Sequence, residues 1–180
     1  MSHPTEATHA TAEDATLVRL AQGGDRHAFS ELYRRYVRVV HGILLARLPF
    51  SEAEDQAQEV FITAFHQLSK LREPAAFGGW LAAIARNRAT DFHRSDMPEE
   101  ELTEEAGATS SGDSAEAAEA LAAIRMLPDT YRETLLLRLV EGLTGPEIAV
   151  RTGLTHGSVR VNLHRGMEML RRALGKELPL

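Results

Sequence analysis

The chain has 180 residues, 43% of them hydrophobic, no cysteine and a formal charge of −6. That length suits one ordinary domain or two small ones with real cores, and the missing thiols exclude disulfide scaffolds, thiolate zinc sites and cysteine nucleophiles. No apolar run approaches the roughly 18 residues of a spanning helix, and the polar start lacks a basic-then-apolar leader, so a cytoplasmic protein is expected.

Residues 1–13 carry no periodic apolar pattern and read as a disordered tail. From there apolar residues recur at spacings of three and four, with no strand-like alternation, which predicts an all-α fold. Helices are expected over about 15–22, 26–48, 52–70 and 76–94, punctuated by Gly23, Gly24, Pro49 and Pro74. The stretch 94–114 mixes Pro, Gly, Ser and Glu and reads as a flexible acidic linker. Beyond it, helices are expected over about 114–125, 129–141, 146–152 and 156–174, with Pro128 and Pro146 near starts and Gly142 and Gly153 just past ends. The organisation expected is two small helical domains, 14–95 and 114–178, joined by 96–113.

The net acidity is local. Nine acidic residues and no Lys or Arg lie between Asp96 and Glu119, so the rest of the chain carries +3. Leu143 to Lys176 holds six basic and two acidic residues, a surplus that suits phosphate neutralisation or simply a solvated face.

Three helices carry more than a core pattern. The one starting near Ser51 has Ser51 and Glu54 at capping-box spacing. Its apolar stripe is Ala53, Ala57, Val60, Phe61, Ala64, Phe65 and Leu68, which leaves Asp55, Glu59, Ile62 and His66 opposite. Like charges at i and i+4 do not help their own helix, so Asp55 and Glu59 suggest a docking face for a basic partner; a solvated face is the plain alternative. In the helix around Trp80 the stripe Phe77, Trp80, Leu81, Ile84 and Phe92 is expected to be core. Arg86, Asn87, Thr90, His93 and Arg94 then share a basic, donor-rich side that can hold phosphates and unpaired bases.

The last two helices, joined by Gly153 Leu154 Thr155, have helix-turn-helix spacing. Val159, Leu163, Gly166, Leu170 and Leu174 form the expected buried stripe of the second, leaving Ser158, Arg160, Val161, Asn162, His164 and Arg165 outward. These groups suit base edges and phosphates, although a plain helical hairpin would show the same spacing.

The run Glu54 Asp55 Gln56 Ala57 Gln58 Glu59 Val60 Phe61, followed by Phe77 Gly78 Gly79 Trp80 Leu81 Ala82 Ala83 Ile84 Ala85 Arg86 Asn87, resembles region 2 of extracytoplasmic function (ECF) sigma factors. Leu127 Pro128 Asp129 Thr130 Tyr131 Arg132 with Leu135 Leu136 Leu137, then Glu147 Ile148 Ala149 and Gly157 Ser158 Val159 Arg160, resembles region 4. The resemblance covers about residues 14–175, with both motifs in the family's order. It implies a sigma factor that binds core RNA polymerase, through the clamp coiled coil of the largest subunit and the flap region, and promoter DNA, under a separate anti-sigma protein.

By that resemblance Asp55, Gln58 and Glu59 dock on polymerase, and the outward Ile62 is expected to join them. The loop Leu71 to Phe77, including Arg72 and Phe77, and Asn87 match the part that captures a −10 base, and Arg86, Thr90 and Arg94 on the same side of the helix are expected to work with them. Arg160, Val161, Asn162 and Arg165 match the positions that meet the −35 element, and the outward Ser158 and His164 are expected beside them. Two departures stand out: Val161 Asn162 where the family often has Ser then Arg, and Gly78 Gly79 where larger residues often precede the Trp. The family's −35 sequence is therefore not carried over. The alternative is a helix-turn-helix repressor or sigma-like decoy that does not direct initiation. An enzyme is the reading from another class. Against it, no His-x-x-x-His pair or phosphate-cradling glycine loop occurs, and no cofactor or metal is expected.

Overall fold

The computed structural model describes the backbone of residues 4–95 and 112–175 and the side chains of 11–94 and 117–175. These residues form eight α-helices and no strand: α1 Pro4–Gln22, α2 Arg26–Leu45, α3 Phe50–Gln67, α4 Phe77–Ser95, α5 Gly112–Arg125, α6 Asp129–Leu139, α7 Gly145–Thr152 and α8 His156–Ala173. Two short 3-10 turns, Leu68–Lys70 and Pro74–Ala76, bridge α3 to α4. The all-α expectation holds.

Two local expectations are corrected. The tail expected over 1–13 is helical from Pro4 onward, while residues 1–3 lie outside the described residues. No Gly or Pro interrupts the chain between Thr5 and Gln22, so nothing stops α1 from extending backward. It is tied down by Asp14, which accepts from the Tyr36 hydroxyl at 2.7 Å and from Arg35 at 2.9 Å. The capping box expected at Ser51 and Glu54 does not form: α3 starts at Phe50, its N-cap is Pro49, and no side chain caps it. Ser51 therefore sits inside the first turn, where its hydroxyl cannot act as the N-cap. Of the expected linker, 96–111 lies outside the described residues, and Gly112 and Asp113 already belong to α5.

The first half is built around α2. Asp25 caps it by accepting from the His27 and Ala28 N–H groups. Leu32, Tyr36, Val39, Val40, Ile43 and Leu44, at helical spacing, are buried on it. Helices α1, α3 and α4 pack around this stripe. In the second half Leu135, Leu136 and Leu137 of α6 are fully buried, each contributing about 1.5–3 kcal/mol. Helix α8 crosses α6 closely at Gly166, where a Cβ would stand 3.1 Å from the Leu135 side chain. Thr144 and Glu147 form a reciprocal capping box at the start of α7, and Gly153, at φ +74°, ends it. The Thr155 hydroxyl then caps α8 by accepting from the Ser158 N–H at 3.1 Å.

The two halves are not apart. Helix α6 lies on α2 and α7 lies on α4, and the buried apolar residues of both halves form one contiguous cluster. Burying a polar group between them costs free energy unless it is paired, so the charges along this seam bear directly on the site.

Candidate functional site

Three surfaces gather the residues singled out from the sequence. On α3 the stripe Ala53, Ala57, Val60, Phe61 and Ala64 is buried, which turns Asp55, Gln58 and Glu59 to solvent. Ile62 stands among them 51% exposed, an uncovered aliphatic side chain beside two carboxylates. Phe65 departs from the expected stripe. It is largely exposed and rests edge-on against Phe29, with ring centroids 4.9 Å apart.

The second surface is the α3–α4 connection and the outer side of α4. The Gln22 amide donates to the backbone carbonyls of Leu68 and Leu71, at 3.0 and 2.8 Å, and so pins the start of the loop to α1. Glu73 caps the turn Pro74–Ala76 by accepting from the Ala75 N–H. Arg72, Asn87, Thr90 and Arg94 are exposed. Phe77 is not available to DNA: it is 1% exposed, with its ring against Tyr36 and Trp80. The loop turns its first helical residue inward because the stripe of α4 begins there, and Phe77 is core.

Arg86 is also not on the open face. It makes a two-armed contact with Glu133 of α6, at 2.7 and 3.2 Å, and Arg47 reaches the same carboxylate at 2.8 Å. Glu133 is buried, so its charge is held by two guanidiniums from the other half of the chain. A second such pairing joins Glu141, also buried, to His41 at 2.6 Å and to Arg38. The hydrogen bond to Glu141 raises the His41 pKa above the usual histidine range, against a smaller opposing effect of burial. Neither acidic residue was singled out from the sequence. The only signal was a carboxylate embedded in, or just after, a Leu-rich helix.

The third surface is α8. Val159, Gly166 and Leu170 face α6, and Ser158, Arg160, His164 and Arg165 are exposed. Val161 is 43% exposed in their midst. Asn162 is corrected: it is 8% exposed and its amide points at the Thr134 hydroxyl across the α6–α8 contact. A position three residues after Val159 and four before Gly166 lies on the buried stripe, so Asn162 serves the helix crossing and not the outer face. The Ser158 hydroxyl shares a 2.8 Å hydrogen bond with Thr155. Between Ser158 and Arg165 the exposed groups of α8 thus offer two guanidiniums, one imidazole and one bare aliphatic side chain, a set that can neutralise phosphates and touch base edges.

Among the described residues no group of His, Asp and Glu is arranged to hold a metal, and no helix is long and apolar enough to cross a membrane.

Known proteins share this arrangement. Family models for Sigma-70 region 2 and Sigma-70, region 4 match residues 32–97 and 117–170. The RNA polymerase sigma-H factor of Pseudomonas aeruginosa is 32% identical, over 90% of this chain and 94% of that protein. The ECF RNA polymerase sigma-E factor of Escherichia coli strain K12 is 31% identical, over 87% of this chain and 92% of that protein. In fold, the chain is similar to a solved structure of CnrH in complex with the cytosolic domain of CnrY. That likeness has a TM-score of 0.64 and 23% identity, and covers 92% of this chain and 99% of that one.

Proposed function

Since the chain belongs to the ECF RNA polymerase sigma factors, we propose that its three exposed surfaces divide the work of promoter-specific initiation. The acidic α3 face, Asp55, Gln58 and Glu59 with Ile62 as an apolar anchor, docks on a basic surface of core polymerase, for which the clamp coiled coil of the largest subunit is the candidate. The flap region is the corresponding candidate for the second half. Arg72, Asn87, Thr90 and Arg94 hold the melted −10 strand, with Asn87 pairing to an unstacked base. Capturing that base draws the duplex toward its open state, offsetting an unstacking cost of roughly a few kcal/mol. The domains, on this reading, are 14–95 for polymerase and the −10 element and 114–178 for the −35 element.

On α8, Arg160 and Arg165 neutralise phosphates, with Ser158 and His164 beside them, and Val161 presents an apolar contact to a base edge. In the major groove the group such a contact distinguishes is the thymine methyl. Asn162 takes no part, because its amide is committed to Thr134.

The observation that carries this reading is the exposed acidic face of α3 in a chain that also has a basic helix-turn-helix. A repressor has no use for such a face. A separate anti-sigma protein is the proposed regulator, and the cytoplasm, where polymerase works, is the proposed compartment. No catalytic role is assigned.

The test is binding of the full chain to core polymerase. The double variant Asp55→Ala, Glu59→Ala should bind at least about tenfold more weakly, the scale for losing close interfacial charge pairs. Parent-like binding by that variant would remove α3 from the docking surface.

A further inference from the structure

The loop assigned to the −10 base is short and carries no glycine: between the turns Leu68–Lys70 and Pro74–Ala76 lie only Leu71, Arg72 and Glu73. Its far end is fixed from within. Pro74 locks its own φ, Glu73 caps the second turn through the Ala75 N–H, and Phe77 is buried just beyond. Its near end is fixed from outside, by Gln22 of α1. The amide nitrogen of that residue donates to the carbonyls that open and close the first turn, Leu68 at 3.0 Å and Leu71 at 2.8 Å. A side-chain amide has two N–H hydrogens, and both are spent on this one loop.

Gln22 is itself held in place. It is the last residue of α1, and the chain turns at once: the Gly23 N–H donates to the Arg19 carbonyl, that of Gly24 to Ala21 and that of Asp25 to Leu20, with Gly24 at φ +96°. Asp25 then caps α2. The side chain therefore starts from backbone clamped between two helices, and α1 packs against both 3-10 turns of the loop. Gln22 is exposed, so it adds little to the core; what its two hydrogen bonds fix is the loop. A loop that becomes ordered only when a base arrives loses backbone entropy at that moment, and capture is weaker for it.

We propose that Gln22 is a positioning residue for base capture: through the Leu68 and Leu71 carbonyls it holds the loop Leu71–Phe77 in the conformation that receives the unstacked base. This role rests on the assignment of that loop and Asn87 to the −10 element. Gln22→Met keeps the length of the side chain and removes both donors, whereas Gln22→Lys supplies donors again at similar reach. In the free full-length chain the Leu71 and Ala76 N–H groups, which close the two turns onto Leu68 and Glu73, report the loop by amide hydrogen exchange. Their exchange should be about fivefold faster in Gln22→Met, the weight of one hydrogen bond of about 1 kcal/mol, and near the parent rate in Gln22→Lys. Amides in the middle of α2 should stay as protected as in the parent.

The second readout uses the full chain on core polymerase and a single-stranded −10 oligonucleotide taken from a promoter located by its transcript start. Affinity for that strand is divided by affinity for the same strand made abasic at the captured position. Both strands carry the same phosphates, so the added charge of Gln22→Lys cancels in the ratio. The ratio should fall about fivefold in Gln22→Met and be kept in Gln22→Lys, with binding to core polymerase and to a −35 duplex unchanged. A residue that served folding alone would move all of these together. Parent-like exchange in Gln22→Met overturns the proposal, as does a parent-like ratio in Gln22→Met where Asn87→Ala lowers it. Equal losses in Gln22→Met and Gln22→Lys overturn it too, because the donors would then be irrelevant. If Asn87→Ala also leaves the ratio untouched, the −10 assignment itself has failed, and this role falls with it.

Discussion

Replacing Arg165 with Ala should flatten the salt dependence of −35 duplex binding by an amount the structure allows one to work out. On the outer face of α8, Arg160 and Arg165 are exposed, whereas Arg172 is engaged by Glu168 at 2.7 Å. Each phosphate contact contributes about 0.9 to the slope of log affinity against log salt, so two such contacts weaken binding about 12-fold between about 50 and 200 mM salt, and one contact about 3.5-fold. Fluorescence anisotropy of a labelled −35 duplex at several salt concentrations reads both slopes. The matched control is Asn162→Ala. Its side chain serves the α6–α8 crossing, so it should cost about 1 kcal/mol of stability and leave the salt slope unchanged. Parallel lines for the parent and Arg165→Ala would refute the phosphate role, and a changed slope for Asn162→Ala would refute its inward placement.

Other outcomes follow from the same surfaces. Asn87→Ala should reduce promoter opening, read by permanganate reactivity of the −10 thymines, with −35 duplex binding nearly unchanged; equal loss of both would contradict the division of labour. Deoxyuridine in place of one −35 thymine should weaken parent binding about fourfold, the value of one buried methyl, and have little effect on Val161→Ala. If no thymine position shows this dependence, Val161 is not a methyl reader. The His41 pKa is raised by its hydrogen bond to Glu141, so the stabilisation it brings is complete below the ordinary histidine value of about 6.5 and is lost as pH rises through the raised value. Melting temperatures of the parent and His41→Gln should therefore differ at low pH and converge at high pH, and a gap independent of pH would rule out that linkage.

The helices were legible because their signals are local. Gly23, Gly24, Pro128 and Gly153 punctuate the chain where the structure starts or stops an element, and the stripes of α2 and α3 repeat at helical spacing. The box Thr144 to Glu147 carried the same kind of signal as Ser51 to Glu54, but only the former forms, because Pro49 moved the start of α3 one residue upstream of Ser51. Helix α1 escaped notice below Ala15 because it has no apolar period there; its anchoring through Asp14 to Tyr36 and Arg35 is tertiary.

Of the site, the outward face of α3 and most of α8 could be read from the helical wheel alone. The burial of Phe77 was legible too, since it opens the core stripe expected for α4, and only the family resemblance had placed it against DNA; Asn162 could not be read, since it sits at the margin of its stripe and its direction is settled by Thr134. The seam was invisible for a stronger reason. Glu133 and Arg86 are 47 positions apart, and nothing local announces that a carboxylate in one helix and a guanidinium in another will be buried together.

The measurement that bears most directly on the account is transcription by core polymerase mixed with the purified chain on pooled genomic DNA, with the transcript starts sequenced. The account predicts starts that share two upstream blocks of constant spacing and vanish with the Asp55→Ala, Glu59→Ala variant. DNA binding without chain-dependent starts would contradict it and return the protein to the class of repressors or decoys.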